Sequence, residues 1–331
     1  MKKNKILVTG AAGYIGGTFA YEALCKGFEV LGIDNFINSD DTNIQLLKEK
    51  FPSRFQFAEL NLADDPKGLK KVLKRFNPNF VLHFAGLKAV EESQKKPELY
   101  KKNNVGSTLN LLENMAPSSS LIFSSSATVY GANQQQPLSE DSPIQASSVY
   151  GLTKIESEKL IQRYALTKDI KAICLRYFNP IGSHRDYLIV EDYLNNPNNI
   201  MPKLIKAGKS NNNKIYVYGS DYNTKDGTGE RDYIHITDLV QGHIAAMQKV
   251  DNIQNTQFFN LGTGKSTSVL QLIETFNRVN NLNIEIEYME RRKGDVPICY
   301  ANPFKANKEL NWKANICLEQ MCKDSWEATN A

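Results

Sequence analysis

The sequence predicts an α/β protein, with a doubly wound parallel (Rossmann) sheet and a smaller C-terminal α/β substrate domain. Three observations indicate this fold class. Short apolar segments alternate with helical segments as far as residue 176. A glycine-rich turn, Gly10 to Gly16, separates the first strand from the first helix. After Asn179 the alternation weakens, and polar loops at 183–200 and 219–230 indicate a second domain.

The predicted elements follow from apolar periodicity and from Gly, Pro and Asn punctuation. In the first half we expect strands at residues 5–9, 29–33, 55–60, 80–84, 121–125 and 171–176, and helices at 16–26, 66–76, 97–115 and 150–168. In the second half we expect a helix from 237, a strand at 258–261, a helix at 269–279 capped by Ser266 or Thr267, a strand at 284–288 and two short terminal helices. The expected domains are residues 1–178 and 179–331, with 235–262 returning to the first domain.

Composition excludes several classes of function. The 331 residues carry 40 Lys and Arg against 36 Asp and Glu, a net charge of +4 that is too mild for a nucleic-acid partner. No apolar run approaches the roughly 20 residues of a membrane span, and we expect no signal peptide. The five cysteines form no CxxC pair, and the four histidines lack metal-ligand spacing. We therefore expect a cytoplasmic protein without a metal site.

The turn after the first strand carries three glycines, Gly10, Gly13 and Gly16. Glycines there let backbone N–H groups approach a pyrophosphate at the N-terminus of the next helix. Asp34 follows Gly16 by 18 residues and ends the second strand. A carboxylate at this position binds the adenosine ribose 2′-hydroxyl of NAD and repels the 2′-phosphate of NADP. The sequence therefore predicts NAD as the cofactor.

The second chemical signal is the pair Tyr150 and Lys154 at the start of a predicted helix. A spacing of four places both side chains on one helix face, with about 5–6 Å between β-carbons. An ammonium beside a phenol favours the phenolate, so we expect the pKa of Tyr150 to fall. Such a Tyr can exchange a proton with a sugar hydroxyl. Ser126 and Thr128, after the fifth strand, could hydrogen-bond the same substrate oxygen.

Each signal also has a simpler explanation when it is taken alone. Tyr/Lys pairs at this spacing are common on exposed helix faces, and a Ser-rich strand end can be an ordinary turn. The dinucleotide turn favours the chemical interpretation of both. Arg231, Arg291 and Arg292 in the second half fit phosphate contact and solvated surface charge equally well.

Several motifs resemble those of the extended short-chain dehydrogenase/reductases. These are residues 9–16, 34–36, 84–90, 124–131 and 150–154. Further motifs make the chain similar to the UDP-glucose 4-epimerase family, and the match runs nearly end to end. They are residues 176–180, 226–229, 231–235, 260–262 and 291–295.

The resemblance implies an NAD-dependent isomerase of carbohydrate and galactose metabolism that interconverts UDP-glucose and UDP-galactose through a 4-keto sugar. It implies that Tyr150 removes the proton of the sugar O4, that Lys154 lowers the pKa of Tyr150 and holds the nicotinamide ribose, and that Ser126 and Thr128 orient O4. The cofactor-binding residues it implies are Gly10, Gly13, Tyr14, Ile15, Gly16, Asp34, Asn35, Phe36, Asn38, Ser39, Asn61, Leu62, Phe84, Ala85, Gly86, Lys88, Asn103, Ser126, Tyr150, Lys154 and Phe178.

The resemblance also implies how the UDP-hexose and a second copy of the chain are bound. The substrate-binding residues it implies are Lys88, Ser126, Tyr150, Asn179, Asn199, Arg231, Arg292, Asp295 and Cys299. It suggests a homodimer in which helices 97–115 and 150–168 pair across a twofold axis.

Two positions depart from the commonest family pattern. Asn61-Leu62 stands where an Asp followed by Ile or Leu usually contacts adenine. Cys299 replaces a Tyr found in members restricted to unsubstituted hexoses, which extends the expected substrates to UDP-GlcNAc and UDP-GalNAc.

Three rival functions remain open from the residues. A nucleotide-sugar 4,6-dehydratase needs an acid pair after Thr128, where Val129-Tyr130 stands. A UDP-glucuronate decarboxylase should hold a sugar carboxylate, and the block after Arg176 does not resemble that site. A non-catalytic NAD sensor has no reason to keep Tyr150, Lys154 and Ser126 together.

Overall fold

The computed structural model describes residues 4–132, 135–186, 188–194, 197–292 and 294–330. Within these ranges the strands are β1 (Lys5–Thr9), β2 (Glu29–Asp34), β3 (Phe55–Glu59), β4 (Phe80–His83), β5 (Ser120–Ser126), β6 (Ala172–Tyr177), β7 (Asn179–Ile181), β8 (Lys214–Tyr218), β9 (Glu230–Arg231), β10 (Tyr233–His235), β11 (Thr256–Leu261), β12 (Thr267–Ser268), β13 (Glu285–Met289) and β14 (Ile298–Cys299).

The α-helices of the same ranges are α1 (Tyr14–Cys25), α2 (Thr42–Lys50), α3 (Pro66–Phe76), α4 (Val90–Lys95), α5 (Pro97–Tyr100), α6 (Ser107–Asn114), α7 (Val149–Lys168), α8 (Ile200–Gly208), α9 (Ile236–Lys249), α10 (Val269–Asn280), α11 (Phe304–Glu309) and α12 (Leu318–Glu327). A π-helical segment, Lys101–Gly106, joins α5 to α6. In the described part of the chain, no helix combines the length and apolar composition that a membrane crossing requires.

The main sheet has the strand order β3-β2-β1-β4-β5-β6-β11. The strands at its centre are parallel, since β1 pairs with β2 and β4, β2 with β3, and β4 with β5. The order reverses between β1 and β4, and ligands of such sheets bind beyond the carboxyl ends of the strands at this switch point. The predicted Rossmann fold is confirmed. The carboxyl ends of β1, β2 and β4 lie at that edge, at Thr9, Asp34 and His83.

The chain divides into two compact units. The first contains the residues up to 129, 146–176 and 243–259, and the second contains 130–145, 177–242 and the residues from 260 onward. Residues 130–145, which the sequence prediction left in the first domain, thus belong to the second unit.

Each unit has its own apolar core. In the first unit, Leu7, Val81 and Leu121 of the sheet pack with Leu111 of α6 and Ile161 of α7. All five side chains are fully buried, and each such burial contributes roughly 1.5–3 kcal/mol to folding. In the second unit, the core joins residues of β8, α10 and α12, including Ile215, Val217, Leu272, Phe276 and Met321.

The predicted continuous helix over 97–115 is wrong in its interior. The π-helical segment Lys101–Gly106 widens one turn, and Asn104 within it is buried. The Asn104 amide group donates to the Leu87 carbonyl at 3.0 Å and to Thr153 Oγ1 at 3.0 Å, while its oxygen accepts from the Leu87 N–H at 2.8 Å. These tertiary hydrogen bonds compete with regular helix geometry, as is typical of π-bulges at functional sites.

Several further elements differ from the prediction. The sequence pattern did not indicate α2, α4, α8 or β8. The cap of α10 is Ser268, whose hydroxyl accepts from the Gln271 N–H at 3.0 Å. Ser266 instead donates to Glu230, and Thr267 lies in β12. Adjacent hydroxyl residues cannot be separated by local propensity, because each can satisfy a helix N-terminus.

Candidate active site

The glycine turn leaves a surface without side chains at the edge of the sheet. Gly10 has a φ of +72°, a conformation that L side chains rarely adopt, and its N–H donates to the Ile33 carbonyl at 2.8 Å. A Cβ on Gly10 would lie 2.8 Å from the Ala85 nitrogen, and one on Gly16 would lie 2.1 Å from the Gly10 carbonyl oxygen. α1 starts directly after Gly13. The residues present therefore fit a pyrophosphate at the helix N-terminus.

Asp34 is buried beside this turn, and backbone N–H groups hold its carboxylate. Its Oδ1 accepts from the N–H groups of Asn35 at 2.9 Å and Phe36 at 3.0 Å, and its Oδ2 accepts from the Ala12 N–H at 2.9 Å. A carboxylate oxygen can accept two hydrogen bonds. With one partner described at Oδ2, that oxygen has capacity for a hydroxyl such as the ribose 2′-hydroxyl.

A cleft of about 430 Å³ lies at the end of β3, next to Asp34. Its lining includes Asn35, Ile37 and Asn61. The Asn61 amide group donates to Asp64 at 2.9 Å, and its oxygen accepts from the Ala63 N–H. The Leu62 side chain instead belongs to the apolar core, so only its backbone is available to a ligand.

The other residues of the first unit that we predict to bind the cofactor differ in their contacts and burial. The Phe84 ring lies 4.9 Å from the ring of His243, and the Asn103 amide group donates to the Leu99 carbonyl at 2.9 Å. Phe36 adopts a φ of +55° and its ring lies 5.5 Å from that of Phe57. Tyr14 is buried, Ile15 and Ser39 are half-buried, and Asn38 and Lys88 are exposed. Sequence reasoning missed Asn104, whose position within the π-helical segment is a tertiary feature.

Helix α7 positions the Tyr/Lys pair. Ser148 caps the helix by accepting from the Gly151 N–H at 3.1 Å, and this places Tyr150 in the first turn. Lys154 is buried, and its Nζ donates to the Ser124 carbonyl at 2.7 Å. The Lys154 Nζ lies 5.8 Å from the centroid of the Tyr150 ring and 4.8 Å from that of Phe123.

The expected fall in the pKa of Tyr150 is wrong for the chain by itself. Desolvation by the protein around the phenol raises the pKa of Tyr150 to about 12, and a hydrogen bond with Ser126 opposes the rise in part. Burial also lowers the pKa of Lys154 to about 8. Desolvation disfavours the charged form of both groups and is the largest cause of both pKa changes.

Ser126 and Thr128 lie together beside Tyr150. The Thr128 hydroxyl donates to Ser126 Oγ at 3.0 Å, and the Thr128 N–H lies 3.2 Å from the same atom. Ser126 also hydrogen-bonds Tyr150. Three hydroxyl groups that the sequence separates by up to 24 positions are therefore linked in one network, which can share a proton with a substrate oxygen.

The second unit brings four of the predicted substrate residues near one another. Arg231 of β9 lies opposite Cys299 of β14 in a parallel pair. Arg292 donates through Nε to Asp295 at 2.9 Å, and its guanidinium lies 5.0 Å from the Tyr218 ring centroid. Asn179 and Asn199 are exposed, and Asn199 donates to Glu191 at 2.6 Å. Phe178 is buried in this unit.

Tyr222 is a residue of this unit that sequence reasoning missed. Its side chain is 7% exposed, and its hydroxyl has no hydrogen-bond partner among the described residues. Burial, followed by the negative charge of Asp295, raises the pKa of Tyr222, and the charges of Arg231, Arg291 and Arg292 oppose this rise. Three guanidinium groups therefore lie near Tyr222, together with Asp221 and Asp295, which pair with Arg291 and Arg292. Guanidinium groups that converge in this way can contact a diphosphate.

Comparisons with known proteins identify the family of this chain. A family model described as GDP-mannose 4,6 dehydratase matches residues 7–325. UDP-glucose 4-epimerase 2 of Arabidopsis thaliana is 43% identical over 97% of this chain and 93% of its own length. The chain belongs to the UDP-glucose 4-epimerase family. The family resemblance predicted from the motifs is thus confirmed.

Solved structures of the family match nearly the whole chain. The UDP-glucose 4-epimerase from Bifidobacterium longum, in complex with NAD⁺ and UDP, is 37% identical with a TM-score of 0.93 and covers 99% of both chains. The UDP-Glc/GlcNAc 4-epimerase from Campylobacter jejuni is 31% identical with a TM-score of 0.83, again over 99% of both chains.

The two positions after Thr128 are those at which we expect an acid pair in a 4,6-dehydratase. Val129 and Tyr130 occupy them, and both side chains are fully buried. The Tyr130 hydroxyl donates to the Asn260 side-chain oxygen at 2.6 Å. Neither side chain is a carboxylic acid, so the acid pair that we expect of a 4,6-dehydratase is absent from these two positions.

Proposed function

We propose that this protein is an NAD-dependent 4-epimerase that interconverts UDP-glucose and UDP-galactose through a 4-keto sugar. The observation that carries the proposal is the linked group Tyr150, Ser126 and Thr128, with Lys154 behind it, in the same unit as a dinucleotide-type glycine turn. A sensor that only binds NAD would not need this proton network. The full-length similarity to named epimerases supports the same reaction.

The proposed roles of the first unit follow from the described contacts. Gly10, Gly13 and Asp34 would hold the dinucleotide, with Asn35 and Asn61 beside the adenine. When bound, NAD⁺ supplies the hydride acceptor and a positive charge that favours the Tyr150 phenolate. Tyr150 Oη then takes the O4 proton from the sugar and later returns it. Ser126 and Thr128 orient O4 through their hydroxyl groups, and Lys154 stabilises the phenolate electrostatically.

The proposed role of the second unit is to hold the UDP group. Arg231 and Arg292 provide guanidinium groups for the diphosphate, and Asp295 orients Arg292. A sugar that must present both faces of C4 needs firm anchorage at its nucleotide rather than at the hexose. The arginines near Tyr222, which are Arg231, Arg291 and Arg292, would provide this anchorage by binding the diphosphate.

We further propose that UDP-GlcNAc and UDP-GalNAc are substrates. Cys299 is half-buried opposite Arg231 and is much smaller than Tyr. Burial raises the pKa of Cys299 to about 11, so the group is an uncharged thiol at neutral pH. A small neutral side chain leaves room for an acetamido group beside the hexose.

We propose a homodimer and a cytoplasmic location as the setting of this activity. Leu152 and Leu166 of α7 and Val90 of α4 are large apolar side chains that remain exposed in the single chain. Exposed apolar groups on neighbouring helices are typical of a subunit interface. None of the five cysteines, all of which lie in the described part of the chain, forms a disulfide, as is usual in a reducing compartment.

The function is tested by turnover of UDP-galactose by the purified protein with no NAD added, followed by NMR of the anomeric proton. We expect UDP-glucose to form and NAD to be released when the protein is denatured. Tyr150→Phe should lower kcat by about 10²–10⁴-fold while the protein keeps its NAD. Absence of conversion of any UDP-sugar, with and without added NAD, would refute the proposal.

A further inference from the structure

Three buried charged side chains of the first unit form a layer behind the hydroxyl network. Lys154 is 4% exposed, and the side chains of Glu158 and Arg176 are each 5% exposed. Arg176 donates through Nε to Glu158 Oε1 at 2.9 Å and through Nη2 to Oε2 at 2.8 Å. Ser125 donates to Glu158 Oε1 at 2.6 Å. The Arg176 guanidinium also lies 4.6 Å from the Phe258 ring centroid.

Stability alone does not account for this arrangement. A buried ion pair seldom stabilises a protein more than well-packed apolar side chains of similar volume would, because both ions lose hydration. Here three charges share one interior region, and three hydrogen bonds from Ser125 and Arg176 fix the Glu158 carboxylate. Burying these charges costs hydration free energy, yet hydrogen bonds hold the Glu158 carboxylate in one position. A carboxylate held in this way can affect the charge state of a neighbouring group.

The group on which the Glu158 charge acts is the Lys154 ammonium. Glu158 follows it by one turn on α7, so the two side chains lie on the same face of the helix. The titratable and charged groups around Lys154 are Tyr150 and Glu158 of α7, His83 of β4, and Cys174 and Arg176 of β6. The charge states of these five groups decide the electrostatic potential at the Lys154 ammonium.

Most of these neighbours are uncharged at neutral pH. Burial, aided by the Lys154 charge, lowers the pKa of His83 to about 3, and its ring nitrogens contact Thr9 and Thr108. Burial raises the pKa of Cys174 well above its usual value. Glu158 and Arg176 therefore carry the fixed charges near Lys154. Burial lowers the pKa of Lys154 to about 8, and Glu158 is the first of the groups that oppose this change.

We propose that Glu158, held by Arg176 and Ser125, is a positioning residue that keeps Lys154 charged while Tyr150 exchanges its proton. Glu158 does not act on the substrate; it acts through Lys154. The inference rests on the proposed function, since the Lys154 charge matters there through its effect on Tyr150.

The direct test is an NMR titration of ¹³Cε-labelled lysine in the purified protein, with the Lys154 signal assigned from Lys154→Met. In Glu158→Gln the Lys154 pKa should fall by about one unit, because the negative charge that opposes the effect of burial on Lys154 is removed. In Arg176→Gln it should rise, because Glu158 then acts without its cationic partner. Glu319→Gln, which removes a carboxylate paired with Arg278 in the second unit, should leave it unchanged.

The pH profile of kcat for UDP-galactose gives a second readout. Activity should decline as the pH rises through the Lys154 pKa, because the ammonium is then lost. This basic limb should move to lower pH in Glu158→Gln and to higher pH in Arg176→Gln. A purely structural role would lower stability in both variants and would not move the limb in opposite directions.

In Glu158→Gln the buried Arg176 loses its carboxylate partner, which can prevent folding. A double variant avoids this problem. Glu158→Gln combined with Arg176→Gln leaves no unpaired buried charge at this pair, and the Lys154 pKa should still fall, by less than in the single variant. An unchanged Lys154 pKa in folded variants would overturn the inference. Failure of the wild type to convert UDP-sugars would instead refute the proposed function, and the titration would remain informative.

Discussion

Tyr150 and Lys154 show how burial alters the chemistry that their spacing predicts. Their separation of four residues does bring the Lys154 ammonium to 5.8 Å from the Tyr150 ring. Burial nevertheless raises the pKa of Tyr150 to about 12 and lowers that of Lys154 to about 8. Both changes oppose the charged forms, so the proposed reaction depends on positive charge supplied around the phenol.

Cys299 is the residue from which we predict the range of substrates. In Cys299→Tyr, kcat/KM for UDP-GlcNAc should fall by about 10²-fold, because the larger ring occupies the space proposed for the acetamido group. The value for UDP-galactose should change only a few-fold. Both are measured by NMR of the anomeric protons in parallel reactions.

Cys25→Tyr is the matched control, since Cys25 is exposed at the end of α1 in the other unit. It should leave both substrates unaffected. If the wild type turns over neither acetylated sugar, the proposed role of Cys299 is wrong.

At the scale of elements, the glycine turn has no room for an added side chain at Gly16, whereas the π-helical segment has room for one at Gly106. A Cβ at Gly16 would lie 2.1 Å from a backbone oxygen, whereas a Cβ at Gly106, in the π-helical segment, would meet nothing within 4 Å. Gly106 has helical dihedral angles, with φ of −62° and ψ of −42°. Gly16 therefore allows a close approach of two backbone segments, whereas no neighbouring atom requires a glycine at position 106.

We predict that Gly16→Ala destabilises the protein by about 1–3 kcal/mol and weakens NAD retention, because backbone must shift at the proposed pyrophosphate site. Gly106→Ala should instead stabilise it by about 0.5–1 kcal/mol, because Ala has the better helix propensity. Thermal unfolding and the NAD content of the purified variants measure both effects. Equal melting temperatures for the two variants would contradict this account.

At the scale of the whole molecule, α7 joins the proposed catalytic and subunit surfaces. One side carries Tyr150 and Lys154, while Leu152 and Leu166 are 49% and 70% exposed. The two leucines are 14 positions apart, close to four helical turns, so they share a face. An apolar face of this kind is the expected site of contact with a second copy.

We predict that the wild type is a dimer by light scattering after size-exclusion chromatography, and that Leu166→Glu makes it monomeric by placing a charge in the interface. Phe304→Glu, at a 67% exposed site of the second unit, should remain dimeric. A monomeric wild type would rule out the proposed assembly.

The sequence by itself determined the fold class, the glycine turn, the acidic end of β2 and the positions of the Tyr/Lys pair. These features depend on local physics: apolar periodicity, the conformational range of glycine and the fixed geometry of a helical turn. The boundaries of α7 and of most central strands were predicted within one or two residues for the same reason. The family resemblance could be stated because these local motifs recur in a fixed order.

Only the tertiary structure decided the pKa directions, the π-helical segment and the charges behind the site. The pKa of Tyr150 depends on how much protein surrounds the phenol, and sequence spacing does not report burial. Asn104 meets Leu87 and Thr153, and Glu158 meets Arg176 and Ser125, only after the sheet and helices have packed. Such contacts join residues distant in sequence, so their energies depend on packing and desolvation rather than on any local pattern.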